Sequence, residues 1–175
     1  GAVDSLVGLV DDLFELVQLD AGAIEAESER AKVEDVIRSA VAACDAQAAE
    51  KGLALETRTG DAGGALCSPR LTRVLQNLVQ NAIRHTPADG SVRVKARRCP
   101  TGLELVVEDT GEGIAPDAVR RVFEPFWRAD AARSDDGSGL GLALARRIVE
   151  ALGGQIRVES ELTRGSRFAV LIPEA

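Results

Sequence analysis

Residues 135–145 read DDGSGLGLALA. Three glycines, Gly137, Gly139 and Gly141, stand at alternate positions and open a helix that continues through Leu142, Leu144, Ile148 and Val149. Residues without Cβ let a backbone approach a phosphate closely. A helix N-terminus adds unpaired N–H groups and the positive end of a dipole. Together these make a ready anion site. Glycine-rich helix starts also serve close packing, so this segment alone leaves both uses open.

The bulk numbers bound the answer. The chain has 175 residues, enough for one domain with a helical extension. It is 45% hydrophobic but only 3% aromatic, so its core must be aliphatic. The net charge of −7 argues against a nucleic-acid partner, because phosphate neutralisation needs a basic surface. The three cysteines, Cys44, Cys67 and Cys99, show neither metal-ligand spacing nor a disulfide framework, and they read as thiols in a reducing compartment. No apolar run reaches the ~20 residues that cross a bilayer. The chain lacks Met and begins Gly-Ala, which suggests a processed or excised fragment.

Outward from the glycine stretch, apolar spacing sets the other elements. Residues 3–20 carry Val3, Leu6, Val7, Val10, Leu13, Phe14, Leu16 and Val17 on one helical stripe, with Asp4, Asp11, Asp12 and Glu15 opposite. Such a helix must pack on the chain or on a partner helix. A second amphipathic helix is expected over about 33–51, and a third over about 69–86, where Pro69 suits a first turn. Strands are expected at 53–57, 91–98, 103–109, 155–160 and 166–172, with a short helix from Pro116 to Val122. This order predicts an α+β layer, helices on one face of a mixed or largely antiparallel sheet.

Four stretches carry chemistry. In NLVQNAIRHT (77–86), Asn77, Asn81, Arg84 and His85 share one face of the third helix, opposite its apolar stripe. An Asn carbonyl suits Mg²⁺, which prefers few protein ligands plus phosphate oxygens. A solvated polar face is the competing explanation. DTGEGI (109–114) puts a carboxylate, Asp109, at the end of an apolar strand, where it can accept an amine hydrogen bond or cap a turn. FEPFWR (123–128) gathers Phe123, Phe126 and Trp127 in a chain with few aromatics. It anchors the polar loop 129–138, which reads as a lid beside the glycine-led helix. The glycine stretch is the fourth, and GSRF (165–168) follows it.

In this order the motifs resemble the catalytic, ATP-binding domain of sensor histidine kinases, in the wider family of DNA gyrase B, Hsp90 and MutL ATPases. The resemblance covers about residues 28–174. It implies a two-layer α/β sandwich of three helices on a mixed five-stranded sheet. Residues 1–22 would be the C-terminal remnant of a dimerisation and phosphoacceptor helix, and 23–175 the catalytic domain. It implies ATP and Mg²⁺ as cofactors: Asn81 ligating the metal, Asn77 supporting it, Arg84 on phosphate and His85 lining the site. Asp109 would read the adenine amino group with a water and Ser166. Gly111 and Gly113 would admit the base, and Ile114 would pack on it. Gly137, Ser138, Gly139, Leu140 and Gly141 would cradle phosphates, and Arg128 would reach toward them.

The resemblance also implies partners: a His-bearing dimerisation domain and a response-regulator receiver domain, with no nucleic acid and no direct membrane contact. It implies a cytoplasmic domain whose parent is anchored in the cell membrane. The only His is His85, inside the nucleotide motif, so the chain is expected to bind ATP without phosphorylating itself. ATP-hydrolysing relatives carry a Glu where this chain has Asn77, and a neutral amide cannot take a proton from water. A related ATPase or serine kinase, and a nucleotide-binding module without transfer activity, are the alternatives.

Overall fold

A computed structural model describes residues 2–22, 29–128 and 137–173. In chain order the elements are α1 (Ala2–Asp20), β1 (Ala31–Lys32), α2 (Val33–Ala42), α3 (Asp45–Glu50), β2 (Ala54–Arg58), a 3₁₀ turn (Gly60–Ala62) and β3 (Leu66–Cys67). They continue with α4 (Leu71–His85), β4 (Ser91–Cys99), β5 (Gly102–Asp109), α5 (Pro116–Val119), α6 (Gly141–Ala151), β6 (Gln155–Glu161) and β7 (Gly165–Pro173).

Five strands form one mixed sheet in the order β2-β4-β5-β7-β6, with β2 parallel to β4 and every other pair antiparallel. Side chains alternate across a strand, so the register sorts them into two faces. Val94, Val107, Phe168 and Val158 lie opposite one another in one row and are roofed by helices. The neighbouring row on the other face reads Glu56, Arg93, Glu108, Arg167, Glu159. Charge alternates along it. Arg93 pairs with Glu56 at 2.9 Å, and Arg167 lies 3.6 Å from both Glu108 and Glu159. That face is polar enough to remain uncovered, which leaves the helices only one side to occupy.

The helix layer is α2, α4 and α6, with α4 in the middle. It buries Val33, Val36 and Ile37 from α2, Leu71, Val74, Leu75, Leu78, Val79 and Ile83 from α4, and Leu144, Ile148 and Val149 from α6. Each such side chain contributes roughly 1.5–3 kcal/mol on burial. The expected sandwich of three helices on a mixed five-stranded sheet is what the chain forms.

Several boundaries differ from the sequence expectation. The helix expected over 33–51 breaks at Ala43-Cys44. Cys44 has φ −110° and ψ −9°, and its N–H donates to the Val41 carbonyl at 2.8 Å. The turn buries both Cys44 and Ala48, and no Gly or Pro marks it. The third helix starts at Leu71, because Pro69 sits in a preceding turn whose carbonyl accepts from Thr72 N–H. The short helix from Pro116 ends at Val119 rather than Val122. The ribbon of β1 with β3 was not expected, since two residues carry no periodicity.

α1 docks by a face that shares only Leu16 with its expected apolar stripe. Leu9, Leu16 and Leu19 face the core, while Val3, Leu6, Val7, Val10, Leu13, Phe14 and Val17 stay exposed. Ion pairs turn its acidic side inward. Asp12 and Glu15 meet Arg73 on α4, and Asp20 meets Arg147 on α6 at 3.0 Å. Burial raises the Asp12 carboxyl above the usual range, with Arg73 opposing that rise. Burial also pushes the Cys44 and Cys67 thiols to about 11, so neither is a thiolate at neutral pH.

Candidate nucleotide site on the central helix

α4 turns Asn77 and Arg84 of NLVQNAIRHT toward residues 137–141, which lead into α6. Asn77 is not opposite the apolar stripe, as the spacing suggested. It is only 6% exposed, and its Nδ2 has no hydrogen-bond partner. The first residue of α6 abuts it: a Cβ built on Gly141 would sit 3.7 Å from the Asn77 carboxamide. One turn on, Asn81 is half-buried. Beyond it, a Cβ built on Gly137 would lie 2.8 Å from a guanidinium nitrogen of Arg84. The stripe Asn77–Arg84 and the loop 137–141 therefore face each other. His85, at the helix end, bonds through Nδ1 to Glu112 Oε1 at 2.8 Å, joining α4 to the 110–114 loop.

Asp109 ends β5 at the limit of the apolar face. It is 8% exposed, and one carboxylate oxygen accepts the Gly111 N–H at 2.8 Å. Burial raises its carboxyl above the ordinary carboxylate value, and the backbone N–H groups of Gly111 and Ser166 oppose that rise. Ser166 is its register partner on β7, and Ser160 stands opposite Ser166 on β6. Three polar side chains thus continue the sheet face where the valines and Phe168 stop. Strand β7 reaches Asp109 because residue 165 is glycine. At φ +105°, any Cβ there would overlap the Asp109 carbonyl oxygen.

At Gly111 and Gly113, the glycines expected to admit a base, a Cβ would meet protein backbone. Gly111 packs on the His85 carbonyl and Gly113 on the Glu161 carbonyl. Their small size serves the docking of the 110–114 loop between α4 and the β6–β7 turn. Ile114 is half-buried against the core, and its N–H donates to Ser160 Oγ at 2.8 Å.

The glycine loop is also well packed. Gly139, at φ +71°, lies on the backbone of Phe126, whose N–H donates to the Gly139 carbonyl at 2.9 Å. Phe126 itself adopts φ +63° to make that contact, a conformation costly for a residue with a Cβ. Ser138 Oγ accepts the Leu140 N–H at 3.2 Å, and Leu140 is fully buried in the core. The N–H of Leu140 is therefore already engaged, while Gly141 begins α6. Phe123 packs edge-on to Phe168 with ring centroids 6.1 Å apart, which roots FEPFWR in the core. Trp127 lies under the Arg121 guanidinium, and Arg128 is exposed. Most of the expected lid, residues 129–136, lies outside the described residues.

The family profile described as histidine kinase-, DNA gyrase B-, and HSP90-like ATPase matches residues 67–175. The chain belongs to this family. It is 36% identical over 175 residues to the sensor protein DivL of Caulobacter vibrioides, covering 99% of this chain and 22% of that protein. It is 32% identical over 169 residues to the sensor histidine kinase CusS of Escherichia coli O157:H7, covering 95% and 35% respectively. Full-length ShkA in complex with AMPPNP superposes with a TM-score of 0.85 at 33% identity, over 98% of this chain and 37% of that one. The catalytic domain of the histidine kinase ThkA gives 0.73 at 25% identity, over 84% and 95%. The chain spans only 22% and 35% of the lengths of DivL and CusS.

Within this ATPase domain, two contributors escaped the sequence reading. Ser160 is the last residue of the strand expected at 155–160, where nothing sets it apart. Lys51, the last residue of the helix expected over 33–51, donates from Nζ to the carbonyls of Ile83 at 2.8 Å and Arg84 at 2.7 Å, capping α4. A Lys near the end of one helix gives no sign that it serves another, so only the tertiary contact identifies it. A cleft of about 460 Å³ at this end of the sheet is lined by Arg93, Glu108, Glu159 and Arg167 and also by Asp109, Ser160 and Ser166. Among the described residues, no group of three or more His, Cys, Asp or Glu side chains can hold a metal ion.

Proposed function

We propose that this chain binds Mg·ATP along α4, between the 110–114 and 137–141 loops, and is the kinase domain of a two-component sensor. In that role it positions the γ-phosphoryl group for transfer to a His on a dimerisation domain, from which a receiver domain takes it. One observation carries the reading: α4 brings an unsatisfied Asn77 amide and the Arg84 guanidinium against the glycine loop, with a half-buried Asn81 between them on the helix, while its end touches the loop that fixes Asp109. Phosphoryl transfer is mostly positioning and charge neutralisation. This stripe supplies one neutral oxygen ligand and one cation for it.

The donor set fits the cofactor. Protein ligands alone are too few for a divalent cation here, and Mg²⁺ is commonly held by one or two side chains plus phosphate oxygens. Asn81 is the residue that would hold it. The Asn77 Nδ2 is a buried donor, and a buried donor without an acceptor costs about 1–3 kcal/mol. A phosphate-bound water or oxygen would relieve that cost. Asp109, acceptor-only when ionised, suits an exocyclic amine.

His85 is the only His of the chain and is paired with Glu112, so the phosphoacceptor must come from another domain. The residues 1–22 that precede the ATPase domain fit the end of a dimerisation-domain helix, because α1 keeps a long apolar seam exposed. The kinase reading is favoured over an ATPase because Asn77 cannot act as a general base toward water. The parent protein is proposed to be membrane-anchored, with this domain on the cytoplasmic side. No helix among the described residues is long and apolar enough to cross a membrane.

The test mixes this chain with labelled ATP, Mg²⁺ and a separate His-bearing dimerisation domain. Transfer to that domain is expected, with no stable phosphate on this chain alone. Asn81→Ala should abolish both transfer and calorimetric Mg·ATP binding. Steady ATP turnover by the chain alone would favour the ATPase alternative. Wild-type affinity in Asn81→Ala would remove the site assignment.

A further inference from the structure

The sheet ends, on its helix-covered face, in a row of three polar side chains: Ser160, Ser166 and Asp109. The hydrogen bonds within this row have a direction that can be worked out. Ser160 Oγ lies 2.9 Å from the Gly165 carbonyl oxygen, 2.8 Å from the Ile114 N–H nitrogen and 2.8 Å from Ser166 Oγ. A serine hydroxyl has one proton to give and two lone pairs to receive with. The Gly165 carbonyl can only accept, so it takes the Ser160 proton. The Ile114 N–H can only donate, so it fills one lone pair. The bond between the two serines must then run from Ser166 to Ser160, filling the second. Ser160 is saturated, and Ser166 has committed its only proton.

From this we infer that Ser160 is a specificity-determining positioning residue: by taking the Ser166 proton it leaves Ser166 Oγ an acceptor only, matching the acceptor carboxylate of Asp109 beside it. Two adjacent acceptors at the end of an otherwise apolar face select a ligand edge that presents hydrogen-bond donors. They disfavour one that presents a carbonyl oxygen, directly or through a water. The inference rests on the nucleotide reading above and adds to it a residue that touches no ligand. The chemical class selected is a purine nucleotide with an exocyclic amino group, against one with an exocyclic oxygen. Without Ser160, the Ser166 hydroxyl is free to rotate and donate, and the site loses part of its sign.

The experiment compares Mg·ATP and Mg·ITP binding to this chain by calorimetry, because the two purines differ in that amino group and the ring proton beside it. The wild-type chain is expected to prefer ATP. Ser160→Ala should narrow the ATP:ITP ratio by roughly 2- to 10-fold, the worth of one hydrogen bond. Ser160→Thr, which keeps the hydroxyl, should restore the ratio. In a Ser166→Ala background, Ser160→Ala should have no further effect on it. A purely structural role would weaken both nucleotides alike and leave the ratio unmoved. Should the alanine variant fail to fold, Ser160→Cys keeps the volume with a weaker partner and reads the same ratio. An unchanged ratio in a folded Ser160→Ala or Ser160→Cys variant overturns this inference and leaves the nucleotide reading standing. Failure of the wild-type chain to bind either nucleotide overturns the nucleotide reading itself.

Discussion

The carboxylate of Asp109 is buried at the end of β5, and desolvation outweighs the two backbone N–H groups that face it, so its folded value lies above the ordinary one of 3.8. The sign follows from linkage. Below 3.8 the group is protonated in both states and costs nothing. Between that value and the raised folded one, the unfolded chain ionises first, so stability falls as pH rises through this window. Above the window the loss is constant. Asp109→Asn removes the charge, and the variant should lose this acid-range slope in denaturant titrations. It should be no less stable at neutral pH, yet bind Mg·ATP about 10- to 100-fold more weakly, the cost of a charge-assisted hydrogen bond. A variant that lost stability and kept affinity would show Asp109 to be a structural group. The residue types of the candidate site were legible in the string, because a repeated Asn on one helix and Asp and Gly at element ends are conspicuous. Ser160 was not, because its part depends on three partners from two other segments.

α4 is the element on which the candidate site depends, and its end is secured from outside. The last carbonyls of a helix have no partners within it. Here the Lys51 ammonium takes two of them and also sits favourably at the negative end of the dipole. Lys51→Met removes a charged donor from two carbonyls and should cost about 1.5–3 kcal/mol in denaturant unfolding. Faster hydrogen exchange at residues 83–86 and weaker Mg·ATP binding should accompany it, since Arg84 and His85 project from that turn. Lys51→Arg should recover most of the loss. Equal exchange rates in wild type and Lys51→Met would show that α4 needs no external cap. At this scale the strongly periodic elements were readable from apolar spacing. The break at Ala43-Cys44 was not, because it is made by the burial of Cys44 and Ala48 rather than by a turn residue. Nor was the sheet order, since alternation says which face is buried but not which strand is the neighbour.

At the scale of the whole molecule, the two ends of the chain's surface chemistry differ. The outer sheet face is a lattice of paired charges, exposed and self-satisfied, and such pairs contribute little individually. α1 presents the opposite: Val3, Leu6, Val10, Leu13 and Val17 recur at alternating steps of three and four, with Val7 and Phe14 beside them, and all are exposed. That spacing is a coiled-coil seam. It points outward because Leu9, Leu16 and Leu19, with the ion pairs to Arg73 and Arg147, hold the opposite side of α1 against α4 and α6. A contiguous apolar strip of this kind is covered by a partner or drives association. In sedimentation velocity the chain should therefore gain mass with concentration. Val10→Lys together with Phe14→Lys should keep it monomeric, since a Lys at the seam desolvates a charge against an apolar surface. The same double variant should retain Mg·ATP affinity, because neither residue faces α4 or the glycine loop. Loss of affinity would mean that α1 supports the nucleotide site directly. A wild-type chain that stayed monomeric at every concentration would mean that the seam needs a different helix to close on.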